Sequence, residues 1–288
     1  MAASNMRDIK RRIRSVSSME HITKAMKLVS AAKLRKAKAT FEKTQGYLNY
    51  VTESIQEICQ DVDEAPAAYL QGNREIKKTC YVVVTSGRGL CGSYNTNVIK
   101  AVQRLMEEKG TEPVFVTVGS KGRDFFAKRD YEICQEYVLP AEDMTFQITQ
   151  GFTQPILEMY DSGAIDEIVL VYTAFKSAME YEVKTVQLLP FTLETSPEAK
   201  VARRQVEYAP SIAEVFNYLI PKYAELTVYG AVIEAATCEH AARRMAMEAA
   251  TDNANEMLAE LSLTYNRARQ AAITNEISEI VGGAEALA

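Results

Sequence analysis

Apolar side chains recur every three or four residues at Ile9, Ile13, Val16, Met19, Ile22, Met26 and Val29. After Lys33 the pattern runs on through Ala37, Phe41, Leu48, Val51, Ile55 and Ile58. This period predicts one amphipathic helix of about 50 residues, about 75 Å long at 1.5 Å per residue. That exceeds the diameter of a compact domain formed by 288 residues, so part of the helix is expected to project. Gly46 is the only glycine inside it, and Pro66 with Gly72 marks its exit. A second helical run follows Pro210-Ser211: Ala213 to Leu219 leads to Pro221, and only Gly230 interrupts from there to Ile280, with Gly282-Gly283 as the stop. Its roughly 60 residues would extend about 90 Å. Two helices of such length at opposite chain ends have each other as natural partners, in an antiparallel coiled coil. Alanines crowd between Ala231 and Ala254 and permit close approach of the backbones.

The middle of the chain has a different grain. Strands are expected at 81–84, 114–118, 131–138, 168–172 and 181–189, with helices at 95–109, 121–128 and 145–161 between them. Continuous valine and isoleucine runs separated by crossover helices imply a largely parallel, Rossmann-like sheet covered on both faces. The expected organisation is an N-terminal coiled-coil helix over 1–62, an α/β domain over 75–208 and a C-terminal coiled-coil helix over 211–286.

Charge and cysteine usage narrow the function classes. Lys plus Arg number 33 and Asp plus Glu 38, a formal charge of −5, which argues against nonspecific nucleic-acid binding by the whole molecule. Residues 1–43 nevertheless carry twelve basic side chains against Asp8, Glu20 and Glu42, leaving the rest of the chain strongly acidic. The five cysteines, at 59, 80, 91, 134 and 238, form no CxxC and read as reduced thiols of a cytosolic compartment. His21 and His240 are the only histidines, which leaves little for a histidine-rich metal site. No apolar run approaches 18 residues and the N-terminus alternates charge with single apolar positions, so neither a transmembrane helix nor a secretory signal is expected.

Gly87-Arg88-Gly89-Leu90-Cys91-Gly92 satisfies GxGxxG, after a strand and before a helix, as a dinucleotide fingerprint requires. Such a site also wants an acidic residue at the end of the next strand for the ribose hydroxyls, and that strand ends Thr117-Val118-Gly119-Ser120. Ser93-Tyr94-Asn95 further delays the helix by a turn. The bland reading is a tight, exposed loop; the alternative is a dinucleotide-dependent enzyme with a helical oligomerisation arm. No GxxxxGK[ST] is present, and Gly119-Ser120-Lys121-Gly122 is a strand-to-helix turn. Cys91 beside Arg88 lacks a nearby histidine base for nucleophilic work. The basic helix could bind phosphates by counterion release, yet no aromatic residue interleaves with its charges before Phe41. A solvated coiled-coil face explains it better, and a positive shaft steered by acidic loops of a protein partner is a third reading.

The segment from Ile22-Thr23-Lys24-Ala25-Met26-Lys27 through Ala37 resembles the N-terminal helix of γ subunits of F-type rotary ATP synthases. The likeness recurs from Ala242-Arg243-Arg244-Met245 to Ala254, and from Tyr265-Asn266-Arg267 through Arg269-Gln270, Thr274, Glu276 and Gly282-Gly283 to Ala284, so it spans essentially the whole chain. Arg88-Gly89-Leu90-Cys91-Gly92 also fits, but the family usually has aspartate where this chain has Gly87, and that change creates the GxGxxG. No cysteine-containing insert of the chloroplast branch lies between Cys134 and Cys238, which favours a bacterial source.

The resemblance implies a non-catalytic rotor shaft. Its coiled coil would enter a ring of three α and three β subunits and couple ion-driven rotation of a membrane c ring to ATP synthesis or hydrolysis. The α/β domain would sit at the foot, against ε and the c ring. An asymmetric shaft in a threefold ring contacts each β subunit differently, so rotation shifts their nucleotide-binding states. By motif position, Arg269, Gln270, Thr274 and Glu276 would meet β near the top of the shaft. Lys24, Met26, Lys27 and Arg243 would meet the β lever loops, with coiled-coil core as the other role for Met26. Arg88, Leu90, Cys91 and Tyr208 would lie toward the foot. The same resemblance implies no cofactor, metal or nucleic acid, membrane contact only through the complex, and a peripheral place on the cytoplasmic face of a bacterial membrane.

Overall fold

Both terminal helices exceed the lengths that their periods predict. In the computed structural model, which describes residues 2–61, 75–138, 143–177, 180–191 and 211–285, α1 spans Ala2–Asp61 and α5 spans Ile212–Glu285. Pro221 lies inside α5, and Gly282-Gly283, expected to stop it, is helical as well. Glycine costs a helix about 1 kcal/mol per residue but keeps its backbone donor and acceptor, so the ladder continues through it.

Between them lie β1 (Lys78–Val84), α2 (Tyr94–Lys109), β2 (Glu112–Val118), α3 (Ser120–Ala127), β3 (Ile133–Tyr137), α4 (Phe146–Asp161), β4 (Glu167–Phe175) and β5 (Tyr181–Leu189). The sheet order is β3-β2-β1-β4-β5, parallel throughout except for β5, which runs antiparallel to β4. The central position of β1 explains its unbroken apolar run. Cys80, Val82 and Val84 face a core completed by α4 and α5, while Tyr81 and Val83 face Val98 and Val102 of α2 and Phe126 of α3. Each face must be apolar, so no alternation survives in the sequence. Thr145 caps α4, its side-chain oxygen accepting from the Ile148 amide at 3.3 Å.

Packing divides the chain within the two long helices. One unit is Ala32–Ala242, holding the sheet and the adjoining helical stretches; the other combines the helix ends up to Ala31 and from Arg243. Inside the first unit α1 and α5 approach closely: a Cβ built on Gly230 would overlap the Leu48 side chain, and Phe41 packs edge-on against Phe175 at 6.4 Å between ring centroids.

In the second unit the helix ends pair antiparallel, as expected. The Thr251 hydroxyl donates to that of Thr23 at 2.8 Å, and Lys27 pairs with Glu248 at 2.7 Å, so α5 runs backward as α1 advances. The seam of α1 is Ile9, Ile13, Val16, Glu20, Thr23, Lys27 and Ser30, all buried or half-buried. The facing seam of α5 is Met247, Thr251, Ala254, Leu258, Leu261, Tyr265 and Ala268. Both alternate steps of four and three, the knobs-into-holes period. This corrects the apolar stripe read from the sequence, since Met19, Ile22 and Val29 remain 50%, 57% and 56% exposed. They lie one position beside the seam, about 100° around the helix.

Candidate functional site

In an open α/β sheet, ligands bind outside the carboxyl ends of the strands where strand order reverses, here between β1 and β4. That crevice is filled by the chain itself. The Tyr94 hydroxyl donates to the Ala235 carbonyl at 3.1 Å, and Glu234 of α5 accepts from the Phe175 amide at 2.8 Å. Cys91, Tyr94, Cys238 and Ala242 form one buried cluster there, with Phe175 and Tyr181 against it. Burial pushes the half-buried Glu234 carboxyl and the buried Cys238 thiol upward, because desolvation disfavours their charged forms.

The glycines of the 87–92 loop tell the same story. A Cβ on Gly92 would meet nothing within 4 Å and one on Gly89 only the Lys121 side chain at 4.0 Å, so neither is needed for a close backbone approach. Gly92 is required instead for its positive φ of 58° in the turn. The loop is braced from within. Asn95 accepts from the Ser86 amide at 2.9 Å and donates to the Ser86 hydroxyl at 2.8 Å and to the Cys91 sulfur at 3.2 Å. The Ser86 hydroxyl donates to the Arg88 carbonyl at 2.6 Å, and the Ser120 hydroxyl to the Gly87 carbonyl at 2.9 Å. Leu90 sits at the tip with φ 64° and is 62% exposed, an uncommon state for a branched residue, whereas Cys91 is buried. The loop therefore displays Leu90 and Arg88 outward and uses Cys91 as its anchor. Tyr208, also assigned to this group, lies outside the described residues.

The residues expected to meet β fall into two groups. Lys24 is exposed, 3.8 Å from Glu20; Lys27 is tied to Glu248, whose carboxyl it holds below the usual range; Met26 is half-buried; Arg243 is buried. Arg269, Gln270, Thr274 and Glu276 are all exposed on α5, the Thr274 hydroxyl donating to the Gln270 carbonyl at 2.9 Å. The 269/276 and 270/274 pairs present two neighbouring faces. Among them stand exposed Ile273, Ile277, Ile280 and Val281.

Sequence reasoning missed the exposure of Met19, Ile22, Leu28 and Val29. A strict count would have found it. Steps of four and three run without a break from Ile9 through Glu20, Thr23, Lys27, Ser30, Leu34 and Ala37 to Phe41, whereas the apolar stripe needs two successive steps of three after Val16. Among the described residues no group of His, Cys, Asp or Glu could hold a metal ion, and no helix is long and apolar enough to cross a membrane.

Comparison with known proteins agrees over the full length. The family model described as ATP synthase matches residues 5–287. The ATP synthase gamma chain of Alkaliphilus metalliredigens is 46% identical over 286 residues, 98% of each chain. The sodium ion specific ATP synthase gamma chain of Acetobacterium woodii is 43% identical over 302 residues, 99% of each. Among solved structures, the central stalk and c ring of the Tetrahymena thermophila mitochondrial ATP synthase contains a chain similar at TM-score 0.63 and 26% identity, over 80% of this chain and 99% of that one. A chain of the Euglena gracilis mitochondrial ATP synthase shares the fold at TM-score 0.70 and 20% identity, over 99% of this chain and 95% of that one. With its long terminal helices, its plugged α/β sheet and relatives of matching length, this chain belongs to the ATP synthase gamma chain family.

Proposed function

We propose that this chain is the central rotor shaft of a bacterial F-type ATP synthase, turning inside the α and β subunits and standing on ε and the c ring at the cytoplasmic face of the membrane. It contributes no catalytic group; it transmits torque by touching the catalytic subunits unequally. The observation that carries this reading is the inverted stretch of α1 between residues 19 and 30. Glu20, Thr23, Lys27 and Ser30 occupy the seam while Met19, Ile22, Leu28 and Val29 stand outside it. A freestanding coiled coil gains stability by the opposite arrangement, so this exterior is made to be covered. Its basic side chains complement acidic loops of the surrounding subunits. Arg269, Gln270, Thr274 and Glu276 would grip β near the top, and Arg88 and Leu90 would meet the foot partners.

The test contrasts surface with seam. Ile22→Glu with Val29→Glu should leave the unfolding free energy of the isolated chain, read by urea titration, within about 0.5 kcal/mol of wild type, because both side chains are already largely in water. In the complex reconstituted with α, β, ε and the membrane ring, the same variant should cut ATP-driven ion pumping at least about tenfold. Arg269→Ala with Gln270→Ala should weaken pumping more mildly. Full pumping by the glutamate variant would remove the stripe from the mechanism, and robust ATPase activity of the lone chain would overturn the assignment.

A further inference from the structure

Within the unit formed by the helix ends, the paired helices have two unlike sides. At about 100° per residue, Arg7, Arg11, Arg14, Ile22 and Val29 lie on the side of α1 turned away from the seam, and Asp252, Glu256 and Glu260 on the corresponding side of α5; all are exposed. The Thr23–Thr251 hydrogen bond sets Asp252 level with Ile22, and the antiparallel course of the helices sets Glu260 level with Arg14. The division is strict in the sequence. Between Ile9 and Ala31 the only carboxylate is Glu20, which is buried in the seam. Between Arg244 and Arg267 there is no lysine or arginine. One side is therefore basic and apolar, the other acidic. Two helices side by side hold these surfaces about 20 Å apart, against a Debye length of about 8 Å at physiological salt, so a partner on one side is screened from the charge of the other. Successive carboxylates of the α5 side stand about 6 Å apart along the axis, within that length, and act as one ridge.

The partner that fits the α1 side is an acidic segment bearing apolar side chains. In a threefold ring every catalytic subunit presents the same segment, so the one that the α1 side attracts has identical copies facing the rest of the shaft; this step rests on the shaft reading above. We infer that the ridge of Asp252, Glu256 and Glu260 repels that segment, so that at this level the ring holds the shaft by its α1 side and is pushed from its α5 side. Like charges brought together oppose a wrong pairing as effectively as opposite charges favour the right one. Turning the shaft then exchanges attraction for repulsion at each subunit in succession, and the same surface of the subunit serves for both.

The test compares the full wild-type chain with a variant carrying Asp252→Asn, Glu256→Gln and Glu260→Gln. The three side chains are exposed, so the variant should keep the wild-type urea midpoint. It should bind the hexamer of α and β subunits at least about threefold more tightly at about 20 mM salt, and the difference should vanish at about 0.5 M. Arg11→Gln with Arg14→Gln should shift the affinity the opposite way. Reconstituted with ε and the membrane ring, the carboxylate variant should lose at least about half of ATP-driven ion pumping, because its α5 side no longer releases what the α1 side holds. Weaker binding by that variant would reveal a cationic partner on α5 and overturn the inference; equal binding would make the ridge a solvated face and overturn it as well. Tighter binding with undiminished pumping would also overturn it, since repulsion would then have no part in turning. If the wild-type chain fails to seat in the hexamer, the shaft reading falls and this inference with it; if it seats and the variant matches it, the inference alone falls.

Discussion

Gly119 shows how much one position can carry. Its φ of 91° with ψ 143° belongs to a region reserved for glycine, and a Cβ there would run into the Thr85 carbonyl, which is backbone and cannot step aside. Gly119→Ala should therefore cost about 3 kcal/mol or more, read as a fall in the urea midpoint; an unchanged midpoint would contradict the close approach of the two loops. Glu234 carries a pH dependence. Burial holds its folded-state carboxyl above the ordinary value of 4.5, so the contribution it makes when protonated is lost as pH rises through that elevated value. Glu234→Gln keeps an acceptor for the Phe175 amide and removes the charge. Its stability relative to wild type should thus increase as pH rises from 4.5 to neutrality, and a constant difference would show that the carboxylate is not desolvated. Neither residue announces its role in the sequence. Gly119 reads as an ordinary turn glycine, and Glu234 as one charge on a helix, because the atoms that constrain them come from Thr85 and Phe175 far along the chain.

At the level of elements the sequence was most informative where one period dominates. Five strands, three short helices and two long ones are all legible, since burial on both faces gives β1 and β4 their unbroken valines. The α1 seam was misread because hydrophobicity and period disagree between Val16 and Ala37: the heptad steps pass through Glu20, Thr23, Lys27 and Ser30, while the oil lies beside them. Periodicity reports an apolar face but not whether the cover is the same chain or another one. The pairing makes a direct prediction. Thr23→Cys with Thr251→Cys, replacing hydroxyls 2.8 Å apart, should form a disulfide on mild oxidation, seen as a mobility shift reversed by reductant. Met19→Cys with Thr251→Cys should not; crosslinking of that pair in preference to the first would put the apolar stripe back in the seam.

For the molecule as a whole, the fingerprint loop is the instructive case. Loop position and glycine spacing both permit a dinucleotide, and only the missing acid at the end of β2 and the delayed helix start argue otherwise in the sequence. What closes the question is Ala235 and Cys238 from a helix more than a hundred residues downstream, a long-range occupancy that no local motif can encode. The foot assignment was legible only through resemblance, and Leu90's display depends on hydrogen bonds among Ser86, Asn95 and Cys91 that spacing alone does not predict.

That plug also bears on biogenesis. Ile220, Tyr223, Val228, Val232 and Ala235 belong to the same core as Val82, Val116 and Leu170. Every strand therefore leaves the ribosome before the residues that seal one of its faces exist. A fragment ending near residue 208 should collapse with an open apolar flank, bind ANS and aggregate, and extension to about residue 242 should restore a cooperative thermal transition. Cooperative unfolding of the shorter fragment would show that the sheet matures alone. Otherwise the nascent chain must hold a half-finished sheet until translation is nearly complete, a window in which a chaperone has to stand in for the helix still to come.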